Sequence, residues 1–389
     1  MTKMFSSIVR LPPEGTLLRD LAVTSLAYVS EYGDVCNVEV DFLWDAVKVS
    51  APTPQAALDP FRSLYKAAAD IAAQKAKEIR LGVLRNDQQI LSKLLRKPVK
   101  GFTYFDAIKD FLYAYLTREP DLSPFSRVEV GARGIELGEG RFAAINPLVS
   151  ERYEHGLEFW RLNYSRELQV RLDEAWYALI LAGFALAAAS FVGDDLLLIY
   201  LPEDLVRTMR SLGKAFEVLK ALGRLQGLHG KLSAIVREER CSTEPFPAFV
   251  LLVSLKLVER AEDRGALYDF NYSLPLAYSR LRRAGNVFTM VEKRRAELFD
   301  TIKFAVKVAR EDVRLVEELL DRARRTLHLG AGVATRRKDE PDFTVYSRFF
   351  TLLLQAIHGA YPSHEVAYYG ARYDLISGEL VEGIIRALA

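Results

Sequence analysis

The chain has 389 residues, 50% of them apolar and 27% charged, and carries a net charge of +2. That balance excludes a disordered, highly charged protein, and the length suffices for two domains with substantial cores at roughly 100–200 residues each. Cys36 and Cys241 stand far apart without metal-ligand spacing and are read as buried thiols. Few Asn and Gln, four Met and abundant Lys, Arg and Glu fit a thermophilic source.

Residues 1–10 lack the charged-then-apolar build of a signal peptide, so a cytoplasmic location is expected. Residues 5–11 read as a strand ended by Pro12-Pro13, and 17–28 as a helix. Val38, Val40 and Phe42 alternate with Glu39 and Asp41, which predicts a half-buried strand over 35–42 with 46–49 as its hairpin partner. Beyond Pro54, the residues Phe61, Leu64, Ala68, Ile71, Ala72 and Ile79 share one helical face. A second helix carries Ile90, Leu91, Leu94 and Leu95, and a third covers 103–116. Glycine-punctuated alternation at 128–130, 135–137 and 142–145 predicts a small meander.

Residues 175–193 (AWYALILAGFALAAASFVG) hold no charge over 19 positions, about the length that spans a bilayer. The Ala- and Gly-rich composition is only weakly hydrophobic, and the flanks are Asp173-Glu174 and Asp194-Asp195 with no Lys or Arg anchor. A helix buried in a globular domain is therefore expected, and no membrane association. Residues 196–201 (LLLIYL) follow as a buried strand stopped by Pro202, and a helix bears Leu205, Met209, Leu212, Phe216 and Leu219. The segment 241–247 (CSTEPFP) marks a boundary, giving a mixed α/β domain at 1–240 and a helical bundle at 241–389, an α+β protein. Helices are expected at 248–262, 287–328, 342–359 and 377–388. The longest rests on Val291, Leu298, Ile302, Ala305, Ala309, Val313, Val316, Leu320, Ala323 and Leu327, which step by threes and fours.

Compact enzyme signatures are missing. Gly213-Lys214 lacks the earlier glycine of a phosphate loop, and Gly330-Ala331-Gly332 follows a helix, which suits a helix end better than a dinucleotide fingerprint. The histidines at 155, 229, 328, 358 and 364 form no close metal pair; His358 and His364 bracket a turn beside Glu365. Asp41, Asp45 and Lys48 share a hairpin in a loose likeness of nuclease strands that hold a metal. No cofactor is expected.

Charge is unevenly spread. Between 75 and 100 stand eight basic residues (Lys75, Lys77, Arg80, Arg85, Lys93, Arg96, Lys97, Lys100) against two acidic ones. Between 280 and 310 stand nine (Arg280, Arg282, Arg283, Lys293, Arg294, Arg295, Lys303, Lys307, Arg310) against three. A third group, Arg336-Arg337-Lys338, falls in a loop. Neutralising phosphates releases condensed counterions, so such groups suit a nucleic-acid backbone, although basic helix faces are often only solvated. Tyr268, Phe270, Tyr272 and Tyr278 accompany the second group as candidate stacking residues. Asn286 is a side chain able to meet a base edge.

The order of segments resembles the large subunit of archaeal type I-A CRISPR interference complexes (Cascade). The likeness is carried by the mixed N-terminal part, AWYALILAGFALAAAS followed by DDLLLIYLP, PFPAFVLLVSLKLVERA, and RLRRAGNVFTMVEKRR in a helical C-terminal region. It implies a non-enzymatic antiviral-defence subunit that works with other protein subunits, guide RNA and target DNA. Such a subunit helps read the flanking motif, separates the strands and docks a helicase/nuclease. Two other readings stay open: a metal-dependent nuclease using Asp41, Asp45 and Lys48, and a structural scaffold whose basic faces meet acidic proteins.

Overall fold

The computed structural model describes residues 4–118, 120–131, 134–153, 169–211, 224–240, 242–261, 273–332, 334–335, 340–378 and 381–389. The chain forms two compact units, Met1–Gly213 with Ala277–Arg294, and Lys214–Leu276 with Arg295–Ala389. They do not meet at residue 241: the second unit begins at 214, and 277–294 returns to the first. The architecture is α+β, with sheets in the N-terminal region and helices dominating the C-terminal region.

In the first unit, β1 (Phe5–Arg10) leads to α1 (Leu17–Cys36), whose start is set by the Thr16 side chain accepting from Arg19 N. Asn37 ends α1 in the left-handed region, φ 57°. Cys36 is thus a half-buried free thiol at a helix end and not a core residue; Cys241 lies outside the described residues. The expected hairpin forms between β2 (Glu39–Phe42) and β3 (Ala46–Ala51), though α1 consumes the first residues assigned to its strand. With β1 it makes a sheet of order β1-β3-β2, antiparallel throughout.

Helices α2 (Pro54–Glu78), α3 (Arg85–Leu95) and α4 (Tyr104–Leu116) follow, then α5 (Glu174–Ala187). All but the first residue of α5 are buried, as its all-round apolar sequence requires. It packs against α1, α2 and α4. The approach to α1 is so close that a Cβ on Gly183 would lie 2.2 Å from the Leu21 carbonyl oxygen, and Ser25 Oγ donates to Leu179 O at 2.7 Å. No helix among the described residues is long and apolar enough to cross a membrane.

The uncharged stretch is not helical to its end. Residues Ala188–Val192 form β8, turned by Gly193 (φ 60°) into β9 (Asp195–Tyr200), with β-branched and aromatic residues at its end replacing the alanines of the helix. The meander also gains a strand: β4 (Val128–Gly131), β5 (Gly134–Leu137) and β6 (Phe142–Ala143) are joined by β7 (Gln169–Leu172), parallel to β5, in the order β4-β5-β7-β6. Helix α6 (Glu203–Ser211) follows β9.

The long helix expected over 287–328 is replaced by three elements. Residues Val287–Glu297 form strand β11, hydrogen-bonded to β10 (Pro275–Ala284) in the sheet β11-β10-β9-β8. The two-residue turn Gly285-Asn286, with Gly285 at φ 62°, joins them. Phe288, Met290 and Glu292 are buried in strict alternation, whereas Val291, the anchor of the expected helical stripe, is 39% exposed. The helical period holds only from 298 onward. There α9 (Phe299–Glu311) and α10 (Val313–Gly330) are separated by extended Asp312, whose side chain caps α10 by accepting from Arg314 N at 2.8 Å.

The second unit also contains α7 (Arg224–Glu239), α8 (Phe246–Glu259), α11 (Phe343–Ile357), α12 (Ser363–Arg372) and α13 (Val381–Leu388). Apolar α8 is its hub and touches α7, α9, α10 and α11. Gly330 and Gly332 (φ 67°) do mark the end of α10.

Candidate nucleic-acid interface

Tyr104 organises the first basic group. Thr103 and Asp106 form a capping box that starts α4 and fixes Tyr104 as its first residue, fully buried. Before it, Gly82 and Thr103 make an antiparallel bridge, extended by Val83 N to Phe102 O and Tyr104 N to Leu81 O. Arg85 opens α3 two residues beyond Val83, and Lys100 precedes Phe102 by two on the facing segment. The Tyr104 hydroxyl accepts from Leu84 N at 3.3 Å and donates to the carboxylate of Asp87, which is 1% exposed. Asp87 also accepts from Asn146 N and Nδ2, at 3.0 and 2.8 Å. Burial pushes the Asp87 carboxyl above its ordinary range despite these donors.

The hairpin arrives at the same residue. The Phe288 ring meets the Tyr104 ring edge to face at a centroid distance of 6.2 Å, and the Arg283 charge is felt at the Tyr104 hydroxyl. Arg283 of the second basic group is therefore brought close to Tyr104, which follows the first group in the chain. Arg80, Arg85 and Lys100 are exposed, Arg283 is half-buried, and Asn286 is exposed at the turn. Sequence reasoning missed the role of Tyr104 as the joint, although the capping box T-Y-F-D was visible as a helix start.

Other members of the predicted site are drawn elsewhere. Lys75 is 3% exposed, and its Nζ donates to Ala185 O (2.6 Å) and Leu186 O (3.0 Å) at the end of α5. It is a structural cation inside the fold and is removed from the interface. Arg280, 19% exposed, lies between Asp195 (3.4 Å) and Glu292 (3.2 Å). Arg282 grips Asp195 with two hydrogen bonds of 2.7 and 2.9 Å, which raise its pKa above the ordinary arginine value. Arg294 pairs with Glu292 at 2.9 Å, and Lys293 with Asp20 at 2.7 Å. The positive charge of 280–294 is therefore partly offset by the carboxylates Asp195, Glu292 and Asp20 of β9, β11 and α1.

Arg96 keeps its side chain 74% exposed with only a 3.8 Å approach to Glu174, while Lys97 binds Asp110 at 2.7 Å and lies over the Phe102 ring. Arg295, exposed, belongs to the second unit with Lys303, Lys307 and Arg310. Arg336, Arg337 and Lys338 lie outside the described residues, as do Tyr268, Phe270 and Tyr272. Tyr278 is core: it is fully buried and donates to Glu292 at 2.9 Å, so it offers no stacking face.

The metal readings find little geometry. Asp41 sits opposite Lys48 in the β2–β3 register, but Asp45 accepts from Arg19 Nη1 at 2.7 Å, a cation where a metal would stand. His358 approaches Asp300 at 3.9 Å, and no group of three His, Cys, Asp or Glu suited to a metal occurs among the described residues. No family model, curated protein or solved structure matches this chain.

Proposed function

We propose that this chain is a non-catalytic nucleic-acid-binding protein whose contact surface is built from the tip of the β10–β11 hairpin and the turn at 99–103. The observation that carries the reading is the packing of Phe288 of the hairpin on Tyr104, which brings Arg283 beside the segments that bear the exposed Arg85 and Lys100. Phosphates are held by such cations through counterion release, which orients a duplex without reading it. Asn286 at the exposed turn has the amide needed to engage a base edge.

More particularly, the order of segments resembles the large subunit of archaeal type I-A CRISPR interference complexes. In that setting the chain assists recognition of the flanking motif, strand opening and docking of the helicase/nuclease, in the cytoplasm, beside guide RNA and other subunits. The test is a titration of the purified full chain against a labelled duplex over a range of salt, with and without divalent metal. Binding that weakens linearly in log salt, with the duplex left intact, is expected. Absence of binding at about 50 mM salt, alone and with co-purified partners, overturns the reading. Metal-dependent cleavage lost on Asp41→Ala overturns it in favour of a nuclease.

A further inference from the structure

Helices α8, α9 and α10 of the second unit do not close completely on one another. Between them lies a cleft of about 90 Å³. Its floor is made by buried Leu255, Val258, Ala305 and Leu320. Ala305 and Ala309 stand one turn apart on α9 and give the cleft its width, because a methyl fills far less of the space between three helices than a leucine would. Val313, the first residue of α10 after extended Asp312, also lines the cleft, and its 58% exposure places it at the mouth. An apolar cavity of ~150 Å³ holds a benzene ring, so this one admits a short alkyl chain.

The charged groups on its walls are of one sign. Glu259 and Glu317 line the cleft, and among the described residues no Lys, Arg or His does. Lys256 meets Glu259 at 2.6 Å, whereas Glu317 is exposed and has no ion pair among the described residues. The surrounding charges do not neutralise it. Arg324 is engaged by Glu239, Arg260 by Glu238 and Arg314 by Asp312. That leaves Glu317 and Asp321, one turn further along α10, against Arg310. An apolar body with a cationic head suits both features: the chain leaves water, while the head stays solvated beside Glu317 and is spared the cost of burial. A carboxylate head would be repelled there. We infer that the cleft binds a small primary alkylammonium compound, with its chain between α8, α9 and α10 and its nitrogen at Glu317. The cleft belongs to the second unit and the hairpin surface to the first, so each stands or falls on its own measurement.

The test is saturation-transfer NMR of the full chain at neutral pH with n-pentylammonium, n-pentanol and n-pentanoate. The ammonium compound should bind saturably and about two- to fivefold more tightly than the alcohol, the range that an exposed ion pair supplies. The carboxylate should bind most weakly. Glu317→Gln should bring the ammonium compound to the alcohol's affinity without moving the melting temperature, because the side chain is exposed. Ala309→Leu, checked for folding by circular dichroism, should abolish saturable binding of all three. Absence of saturable ammonium binding, an ammonium bound no more tightly than the alcohol, or an unchanged preference in folded Glu317→Gln overturns the inference. Tighter binding of N-acetyl-lysine amide than of n-pentylammonium overturns it in favour of a lysine of a partner chain.

Discussion

Replacing Lys75 with Met asks whether the cation beneath the apolar helix belongs to the fold. The last carbonyls of a helix lack intrahelical partners, and Lys75 Nζ supplies hydrogen bonds of 2.6 and 3.0 Å to two of them, Ala185 O and Leu186 O. A hydrogen bond to a charged donor contributes about 1.5–3 kcal/mol, and a cation at a helix C-terminus about 0.3–1 kcal/mol more. Against that, an ammonium group loses several kcal/mol of hydration on burial, and Met fills the space of its methylenes without that cost. The balance favours lysine by about 2–3 kcal/mol, because Met would leave both carbonyls buried without this donor. At roughly 2–4 °C per kcal/mol for a unit of this size, Lys75→Met should melt about 5–10 °C below the natural chain by circular dichroism. A variant that melts at or above the natural temperature would refute the reasoning. A fall of about one in the salt slope of duplex binding, with stability unchanged, would return Lys75 to the interface.

Asp195→Asn should release Arg280 and Arg282 from their shared carboxylate; tighter duplex binding with a steeper salt dependence is expected, and weaker binding would show that the carboxylate orders the contact surface. In the second unit, Arg324 holds Glu239 with hydrogen bonds of 2.6 and 3.0 Å; burial alone would raise the Glu239 carboxyl, but this pairing lowers it from 4.5. A depressed folded pKa gives stability that is present above pH 4.5 and lost as pH falls through the folded value. Arg324→Met should therefore cost about 2 kcal/mol at pH 7 and flatten the acid limb of the stability profile; urea titrations at pH 7 and pH 3 check both.

Much of the fold was legible where one physical signal dominated. The alternation of Val38, Val40 and Phe42 predicted the β2–β3 hairpin, and the weak hydrophobicity of 175–193 predicted burial. The error at 287–297 has a definite cause. The buried row of β11 includes a carboxylate, Glu292, that an apolar pattern cannot count, because its partners Tyr278 and Arg280 make burial tolerable only in three dimensions. Val291 continues the helical stripe of 298–327 backwards, and the Gly285-Asn286 pair, which forms the hairpin turn, is read from the sequence only for the side chain of Asn286. The interface was half legible for a related reason. Counting charges along the chain found Arg280 and Arg282, but the neutralising Asp195 stands more than eighty residues away. The approach of Arg283 to Tyr104 depends on Phe288 reaching that ring, a contact that no local pattern encodes.

The most direct test of the central claim is the salt slope of duplex binding by a variant in which Arg80, Arg85, Lys100 and Arg283 all become Gln. Each genuine phosphate contact removed should lower the slope of log affinity against log salt by about 0.9. The account predicts a decrease of at least roughly 2, an affinity loss similar across duplex sequences, and a melting temperature close to that of the natural chain. Arg282→Gln with Arg294→Gln, at positions already paired with Asp195 and Glu292, should change the slope by less than one such contact. An unchanged slope and affinity in the folded quadruple variant would contradict the assignment of this surface to nucleic acid.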